Sequence, residues 1–299
     1  MKKFVLKVLL FTACVVLMDF AFGFCFSWMR RHAKGGSTAN CEYIAHRADE
    51  DIIILGSSRA THHYIPQIIE DSLGVSCYNC GEEGNGVVLA YGRLLMLTNR
   101  YKPGLVLYEI TPGYDYGGGE QDSKYLGYLR AYYHERGIRE IFNDFDDDFS
   151  WLKMKSKMYQ NTSRLLPDLI DNLFFRDNHQ GYEPLYGQLV DTIDPEYSQT
   201  QMSIDSLKLS YLEKVIVLCQ DNDIPLLFMI SPKFKAADNM ESYKPALQLC
   251  NKYGIKVGNY INDSAISNQA VFFQDYEHMN HEGATAYSRS IIPLIKKNL

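Results

Sequence analysis

Hydrophobic residues fall into short continuous runs that alternate with amphipathic segments over most of the chain. A long apolar stretch near the N-terminus is followed by a polar region. The first short run after that region is Ile52–Leu55, and Gly56 follows it directly. A run of β-branched residues without polar alternation is typical of a parallel strand covered on both faces. Similar runs predict four further strands, at 75–79, 105–110, 225–230 and, for the last, either 256–260 or 271–273.

Apolar residues recur at helical spacing between these runs. In segment 206–219 they share one helical face, at Leu209, Leu212, Ile216 and Cys219. Further helices are predicted at 87–99, 241–253 and 282–296. Strands that alternate with helices indicate an α/β protein, here a three-layer α/β/α sandwich around a parallel sheet of about five strands.

Segment 112–200 departs from this alternation. It holds ten of the 22 tyrosines and charge-rich stretches with helical character, such as 125–142. We expect a helical insertion over the carboxyl ends of the strands, where open α/β sheets bind their ligands. Its tyrosines have two interpretations, stacking on sugar rings or forming the half-buried core of a helical subdomain.

The N-terminus has the pattern of a membrane anchor. Three lysines precede an apolar run, Val8–Met29, whose 22 residues are long enough to cross about 30 Å of hydrocarbon as a helix. Asp19 is the one charge within it. No small-x-small site suggests cleavage as a signal peptide, and a lipoprotein signal at Cys14 fits poorly because the apolar run continues beyond it. We therefore expect an uncleaved single-pass anchor over residues 1–31.

The remaining domain organisation follows from this anchor. Residues 32–50 are polar and include Gly35-Gly36-Ser37-Thr38, which predicts a linker, and residues 51–299 form the α/β domain. Basic residues flank both ends of the apolar run, so the positive-inside rule leaves the orientation open. The export-like N-terminus favours an extracytoplasmic domain on a cell membrane.

Charge and cysteine content narrow the range of functions. The net charge is −6 and no basic stripe is present, which argues against a nucleic-acid partner. The seven cysteines are an odd number. The Cys77-Tyr78-Asn79-Cys80 spacing fits a redox pair, half a metal site, or small residues near a strand end, and the third interpretation needs no further cysteine or histidine cluster.

Candidate chemistry begins at Gly56-Ser57-Ser58-Arg59, directly after the first predicted strand. A serine at a strand-to-helix turn projects its hydroxyl at the carboxyl edge of the sheet, where backbone N–H groups can face an oxyanion. An ordinary turn has the same sequence. A phosphate-binding loop fits less well, because the Gly-x-x-x-x-Gly-Lys pattern is missing from this stretch.

A second element lies near the C-terminus, where Asp275 precedes His278 by three residues just before the last predicted helix. Serine is a weak nucleophile at neutral pH and needs a base, and that base needs a carboxylate to orient it. An aspartate three residues before a histidine in one loop can hydrogen-bond the imidazole locally. The other histidine of this loop, His281, fits a solvated surface residue.

Together these blocks resemble the SGNH (GDSL-like) hydrolase superfamily. Three blocks of the chain are similar to the family pattern. They are Gly56-Ser57-Ser58 after the first strand, Asn79-Cys80-Gly81-Glu82-Glu83-Gly84 after the second, and Asp275-x-x-His278 before the last helix. The resemblance implies a flavodoxin-like SGNH fold and a triad of Ser58 as nucleophile, His278 as base and Asp275 as its orienter. It also implies an oxyanion hole that includes the N–H groups of Ser58 and Gly84.

The chain departs from the family pattern in the third block, where Gly-x-Asn-Asp supplies an oxyanion donor. Here Thr111-Pro112-Gly113 follows the third strand. Three interpretations stay open: Thr111 or another group replaces that asparagine, activity is weak, or this block is built differently. Loss of one such donor typically costs roughly 100- to 1,000-fold in rate. Ser57, Arg59 and His63 are candidate pocket residues. Arg59 could bind a substrate anion or lie on a helix surface, and His62 and His63 fit solvated residues better than a metal site.

The resemblance extends to membrane-associated proteins that carry Gly-Ser-Ser and handle acyl groups. It implies a serine esterase or O-acyltransferase that needs no cofactor and no metal. The expected substrate is a small ester or an acylated carbohydrate of the cell envelope. The rival hypothesis is a catalytically weak SGNH-fold protein that binds glycan or assists envelope assembly.

Overall fold

Five parallel strands form one sheet in the order β2-β1-β3-β4-β5. The computed structural model describes residues 1–118, 123–146, 149–174, 177–190, 202–236 and 240–299. The strands are β1 (Ile52–Leu55), β2 (Cys77–Asn79), β3 (Leu105–Glu109), β4 (Leu226–Ile230) and β5 (Lys256–Asn259). Each lies within a predicted run, and the last strand is the first of its two candidates, because 270–272 forms a 3₁₀ helix instead.

The helices fall between and beyond these strands. They are α1 (Lys2–Arg31), α2 (Gly36–His46), α3 (Ser58–His63), α4 (Pro66–Leu73), α5 (Val87–Thr98), α6 (Pro112–Asp115), α7 (Ser123–Leu129), α8 (Ile138–Phe145), α9 (Ser150–Lys153), α10 (Lys157–Asn161), α11 (Leu165–Leu173), α12 (Ser206–Asp221), α13 (Lys244–Tyr253), α14 (His281–Ser290) and α15 (Ile292–Asn298). Short 3₁₀ helices lie at Arg130–Tyr132, His179–Gly181, Glu241–Tyr243 and Ala270–Phe272.

Two groups of helices cover the sheet, one on each face. In the first group α5 packs on α12 and α12 on α13, and in the second α14 packs on α3 and α4, with α15 also on α4. Alternate strand residues such as Ile52, Ile54 and Leu107 belong to one buried cluster with Tyr287 and Ile295 of the second group. Since intervening residues such as Ile53, Val106 and Phe228 are also buried, the central strands β1, β3 and β4 are covered on both faces, as a three-layer sandwich requires.

The described chain divides into two compact units. The α/β unit comprises His46–Gln121 and Asn178–Leu299, and the second unit comprises Met1–Ala45 with Asp122–Asp177. The helical insertion is therefore shorter than the predicted 112–200, because the residues around both its ends belong to the α/β unit. The part of the prediction at 191–201 lies outside the described residues.

The predicted linker at 32–50 was wrong, because most of it is helix α2. Its polar residues are buried by partners far along the chain. The Thr38 hydroxyl donates to Asp168 at 2.9 Å, and Glu42 accepts from Tyr132 at 2.6 Å. Local glycine content signals a linker, whereas these tertiary contacts stabilise a helix, and such contacts cannot be read from local composition.

Two predicted helices are interrupted. In the stretch 125–142, α7 ends at Leu129 and a 3₁₀ helix follows at Arg130–Tyr132. α8 begins only after Gly137, which has a φ of 84° in the left-handed region. The C-terminal helix divides at Ile291 into α14 and α15. In contrast, α1 is a continuous helix of 30 residues, long and apolar enough to be a membrane anchor or a signal sequence.

Candidate active site

Ser58 is the first residue of α3 and follows the end of β1 by a tight turn at Gly56. Gly56 has a φ of 143°, and a Cβ there would lie 2.8 Å from the carbonyl oxygen of Glu109, so the turn requires glycine. β1 lies between β2 and β3, and this is where the sheet order reverses direction. Ser58 thus lies at the topological switch point, where open α/β sheets bind their ligands.

Ser57 caps the helix that carries Ser58. Its hydroxyl oxygen accepts the Ser58 N–H at 2.6 Å, and its carbonyl accepts the N–H of Thr61 at 3.1 Å. Both serines are buried, and Ser58 is 6% exposed. Ser57 therefore supports the turn, and the Ser58 N–H, one of the expected oxyanion donors, has an intramolecular acceptor in this structure.

Asp275 organises the loop that carries His278. Its Oδ1 accepts the backbone N–H groups of Glu277 and His278, both at 2.8 Å. The Gln274 N–H closes the same turn on the His278 carbonyl at 3.0 Å. An aspartate that accepts the N–H groups two and three residues ahead fixes a turn. One carboxylate thus both shapes the loop and contacts the imidazole.

The side chains of Ser58, His278 and Asp275 form one hydrogen-bonded chain. His278 Nε2 lies 2.8 Å from Ser58 Oγ, and His278 Nδ1 lies 3.0 and 3.1 Å from the two carboxylate oxygens of Asp275. Because a carboxylate only accepts, Nδ1 carries the proton, and Nε2 is free to accept from the serine hydroxyl. This is the geometry of a nucleophile, its base and the group that orients the base.

The pKa of Asp275 is lowered despite its partial burial. Burial alone raises the pKa of this carboxyl, but the hydrogen bond from His278 and the backbone N–H groups of Glu277 and His278 outweigh that effect. The carboxyl group is therefore ionised at neutral pH. An ionised Asp275 is the partner that a protonated imidazole at His278 would need.

Two further histidines of α3 surround His278. The His62 ring lies edge-on to the His278 ring at 5.7 Å between centroids, and the His63 ring at 6.2 Å. Both are buried rather than solvated, which corrects the expectation from sequence. Burial lowers the pKa of His62 and, further, that of His63, so both stay neutral at physiological pH and do not repel a protonated His278.

His63 connects the loop that carries His278 to the sheet. Its Nε2 accepts the backbone N–H of Met279 at 3.0 Å, so its proton lies on Nδ1, which donates to Ser231 Oγ at 2.7 Å. Ser231 in turn donates to Glu109 at 2.8 Å. His63, proposed from sequence as a pocket residue, therefore contacts the residue after His278 and has both ring nitrogens occupied.

Arg59 is a structural residue of the same network. Its guanidinium is 2% exposed, pairs with Glu109 at 3.1 Å and donates to Tyr243 at 2.9 Å and to Ser231. Neither interpretation from sequence holds, since Arg59 is neither on a helix surface nor open to a substrate anion. A buried ion pair of this kind fixes the relative positions of α3, β3 and the residue after β4.

The expected oxyanion-hole residues lie on the loops after β2 and β3. Gly84 has a φ of 65° and open space where a Cβ would be. The Thr111 hydroxyl is buried and has no hydrogen-bond partner among the described residues, and the same is true of Asn85 Oδ1. Asn85, which follows Gly84, was missed in the sequence analysis because an asparagine was sought only after the third strand.

Asp115 connects these two loops. Its carboxylate accepts the Tyr108 hydroxyl and the Thr111 N–H, both at 2.7 Å, and a backbone N–H of Val87. Burial raises the pKa of Asp115 to about 7, although these hydrogen bonds oppose the effect. Asp115 therefore holds Thr111 against the start of α5, and its charge is sensitive to pH near neutrality.

The end of the predicted insertion contributes to the site as part of the α/β unit. The Glu183 carbonyl accepts the Nδ1 proton of His62 at 2.7 Å, and Leu189 N–H donates to Phe273 at 2.7 Å. Tyr182 is buried and contacts His281, whereas Tyr186 is 74% exposed. Tyr182 therefore fits the core interpretation of the tyrosines. Within the described ranges no cluster of histidine, cysteine and carboxylate side chains is arranged to hold a metal ion.

Comparisons with known proteins find similarity to solved structures at low sequence identity. No family model matches the chain. No curated protein matches it either. Among solved structures, the chain is similar to a G-D-S-L-family protein from Desulfitobacterium hafniense DCB-2 that has been assigned as lipolytic, with 9% identity, a TM-score of 0.40 and coverage of 82% of this chain and 99% of that one. It is also similar to a Bacteroides fragilis NCTC 9343 protein assigned as an acylhydrolase, with 12% identity, a TM-score of 0.41 and coverage of 88% and 96%.

Proposed function

We propose that the chain is a serine ester hydrolase or O-acyltransferase of the SGNH type. The observation that carries the proposal is the 2.8 Å contact between Ser58 Oγ and His278 Nε2, with Asp275 on the other ring nitrogen. The location of Ser58 at the switch point of a parallel sheet supports it, because that is where such folds place their reactive groups.

The first half-reaction acylates Ser58. His278 Nε2 takes the hydroxyl proton while Oγ attacks the ester carbonyl carbon, and the carbonyl oxygen becomes an oxyanion. The Gly84 N–H and the otherwise unpartnered Thr111 hydroxyl are the proposed donors to that oxygen, and the Ser58 N–H joins them if it leaves Ser57. The tetrahedral intermediate collapses as His278 returns its proton to the departing alcohol oxygen.

The second half-reaction releases the acyl group. A water molecule or a sugar hydroxyl loses its proton to His278 and attacks the acyl-enzyme carbonyl carbon. His278 then returns that proton to Ser58 Oγ as its bond to the acyl carbon breaks, which regenerates the free serine. The acceptor distinguishes a hydrolase from a transferase. We propose an acylated carbohydrate of the cell envelope as substrate, supported by the resemblance of the sequence blocks and by α1, which would hold the domain outside the cytoplasm on a cell membrane.

Turnover of p-nitrophenyl acetate by the full chain in detergent tests this proposal. Ser58→Ala should abolish turnover, because the hydroxyl that attacks is lost. Ser57→Ala is the matched control, since it removes the neighbouring hydroxyl and a helix cap, and it should keep most of the activity. Inactive Ser57→Ala together with active Ser58→Ala would reassign the nucleophile.

A second candidate is a binding or envelope-assembly protein with little catalysis. The observation that favours it is the Ser58 N–H, which donates to Ser57 rather than facing open space, in a chain that also lacks the family asparagine. If the wild-type chain shows neither turnover nor covalent labelling near neutral pH, while it binds acylated glycan, this candidate replaces the enzyme.

A further inference from the structure

Asp19, the single acidic residue of α1, is bound by the beginning of α10. Its carboxylate accepts the backbone N–H groups of Lys157 at 2.8 Å and Met158 at 3.2 Å, and also the Ser156 hydroxyl. The first N–H groups of any helix lack partners within the helix. The Asp19 carboxylate therefore accepts hydrogen bonds from the first N–H groups of α10, and the start of α10 supplies hydrogen-bond donors to that carboxylate.

α1 and the insertion remain in close contact towards the C-terminal end of α1. A Cβ on Gly23 would lie 2.6 Å from backbone and side-chain atoms of Lys157, so the two helices touch there at backbone distance. Further along, Asn172 at the end of α11 donates to the Met29 carbonyl at 2.8 Å. α10 thus lies beside residues 19–23 of α1, and the end of α11 lies beside residue 29.

The length of α1 fixes where these contacts lie if α1 spans a membrane. About 20 helical residues are needed to cross about 30 Å of hydrocarbon. A span that begins at Val8, after Lys7, ends near residue 27, and one that begins at Phe4 ends near residue 23. The stretch between Lys7 and Asp19 covers only about 17 Å at 1.5 Å per residue. Asp19 and its partner α10 therefore fall within the hydrocarbon in either case.

The outer surface of α9–α11 matches this environment. Large apolar side chains are exposed along the segment, at Phe149, Trp151, Leu152, Met158, Leu166, Leu169, Leu173 and Phe174. Leu166 and Leu173 are each 66% exposed. Exposed apolar side chains concentrated in one segment in this way mark a surface that meets a partner or a membrane, although Lys155 is also exposed within it.

We propose that segment 149–174 is a re-entrant element that enters the bilayer beside α1 from its Arg30–Arg31 end, with α10 deepest. The proposal rests on α1 being the membrane anchor of the proposed function and is independent of its chemistry. Non-helical backbone is tolerated at membrane depth only where its polar groups have partners. The bonds to Asp19 provide partners for the Ser156 hydroxyl and for the backbone N–H groups of Lys157 and Met158, and they explain an acidic residue within an apolar run.

Tryptophan fluorescence in vesicles tests the depth of this segment. The chain has two tryptophans, so Trp28→Phe with Trp151→Phe gives a silent background, checked for folding by circular dichroism. Single tryptophans are then introduced at exposed apolar positions of the full chain, in vesicles with lipids brominated either near the headgroup or near the bilayer centre. Iodide serves as the aqueous quencher.

The contacts predict an order of depths. Met158→Trp, beside Asp19, should be quenched most by the deep bromines, and Leu173→Trp, next to the residue that binds Met29, most by the shallow ones. Iodide should quench neither strongly. Val16→Trp on α1 is the matched control for the anchor, and Val217→Trp is the aqueous control, because Lys214 and Asp221 flank it on α12.

The results distinguish failure of this proposal from failure of the assignment of α1 as a membrane anchor. If the lipid bromines quench Val16→Trp but neither lipid quenches Met158→Trp and Leu173→Trp, the segment lies outside the bilayer. That result would overturn the inference, while the assignment of α1 as an anchor would stand. If Val16→Trp is also unquenched by lipid bromines and open to iodide, the anchor and the re-entrant segment are both wrong. None of these results depends on ester turnover.

Discussion

His63 Nε2 accepts the backbone N–H of Met279 at 3.0 Å, one residue beyond the proposed base His278. The same ring donates through Nδ1 to Ser231, which donates to Glu109 at the end of β3. A buried chain of hydrogen bonds thus runs from the sheet to the backbone of the loop that carries the base. This relationship predicts that His63 positions the His278 loop rather than binding substrate in the pocket.

Replacement of His63 should affect turnover more than substrate binding. His63→Leu leaves the Met279 N–H unpaired, which costs about 1–3 kcal/mol of stability and loosens the His278 loop. We expect kcat to fall by up to about 100-fold with little change in KM, since small displacements of a catalytic group have effects of that size. His63→Gln offers an acceptor oxygen and should recover part of kcat. Equal kcat in both variants and wild type would contradict a positioning role.

The triad residues should behave as one unit. Ser58→Ala and His278→Ala should each abolish ester turnover, and the double variant should be no worse than either, because the serine is a poor nucleophile without its base. Asp275→Asn should be impaired less, since His278 keeps a proton-accepting nitrogen and loses orientation and charge support. Additive losses in the double variant, measured as log kcat/KM, would show that the pair does not act together.

Thr111→Val should lower activity without lowering stability. The substitution keeps the shape of the side chain and removes a buried hydroxyl that has no hydrogen-bond partner in the described structure. We therefore expect an unchanged or higher melting temperature and a loss of kcat of roughly 100- to 1,000-fold if this hydroxyl binds the oxyanion.

Thr98→Val is the matched control, because that hydroxyl lies on α5 and donates to Leu94 at 2.9 Å. It should change kcat little. Full activity in Thr111→Val would exclude Thr111 as a donor. If Asn85→Ala alone then lost activity, the missing family asparagine would be replaced from the loop after β2.

Asp115 should make stability depend on pH near neutrality. Its folded pKa is raised from 3.8 to about 7, so the folded state binds this proton more tightly than the unfolded state does. Its contribution is most favourable at low pH and is lost as the pH rises to about 7. His62 and His63 act in the opposite direction, because their lowered pKa values remove stability as the pH falls below 6.5.

A comparison of wild type with Asp115→Asn isolates the carboxyl group from these histidines. Thermal unfolding of the full chain between pH 8 and pH 5.5 should show the wild type gaining stability relative to the variant as the pH falls. Over this pH range the relative gain should be roughly 2 kcal/mol, because only about 1.5 pKa units of the shift are sampled, at about 1.4 kcal/mol per unit. A difference in melting temperature that does not change with pH would contradict a raised pKa for Asp115.

The α/β part of the fold could be predicted because its signals are local. Runs such as Ile52–Leu55 are apolar on both faces, and Asp205 and Gly254 bound their helices as a cap and a left-handed stop. The second unit could not be predicted in the same way. α2 depends on partners such as Asp168, more than 100 residues away.

The candidate site also has one part that local sequence motifs predict and another part that they do not. Ser58, Asp275 and His278 follow from short motifs at predicted element ends, and the structure brings them within hydrogen-bonding distance. The surroundings do not follow from motifs. Arg59 and His63 were proposed for the pocket from proximity in sequence, but burial by Ser231 and Tyr243 determines what they contact. Asn85 was not predicted as a site residue, because the block after the second strand was expected to supply only the Gly84 N–H to the oxyanion hole.

Reaction of the full-length chain with a fluorophosphonate, followed by peptide mapping, tests the central claim most directly. The reagent phosphonylates a serine whose hydroxyl is activated by a base, with loss of fluoride. The predicted result is a single adduct on Ser58 that persists in Ser57→Ala and disappears in Ser58→Ala and His278→Ala. An unlabelled wild-type chain at neutral pH, or an adduct that survives Ser58→Ala, would contradict it.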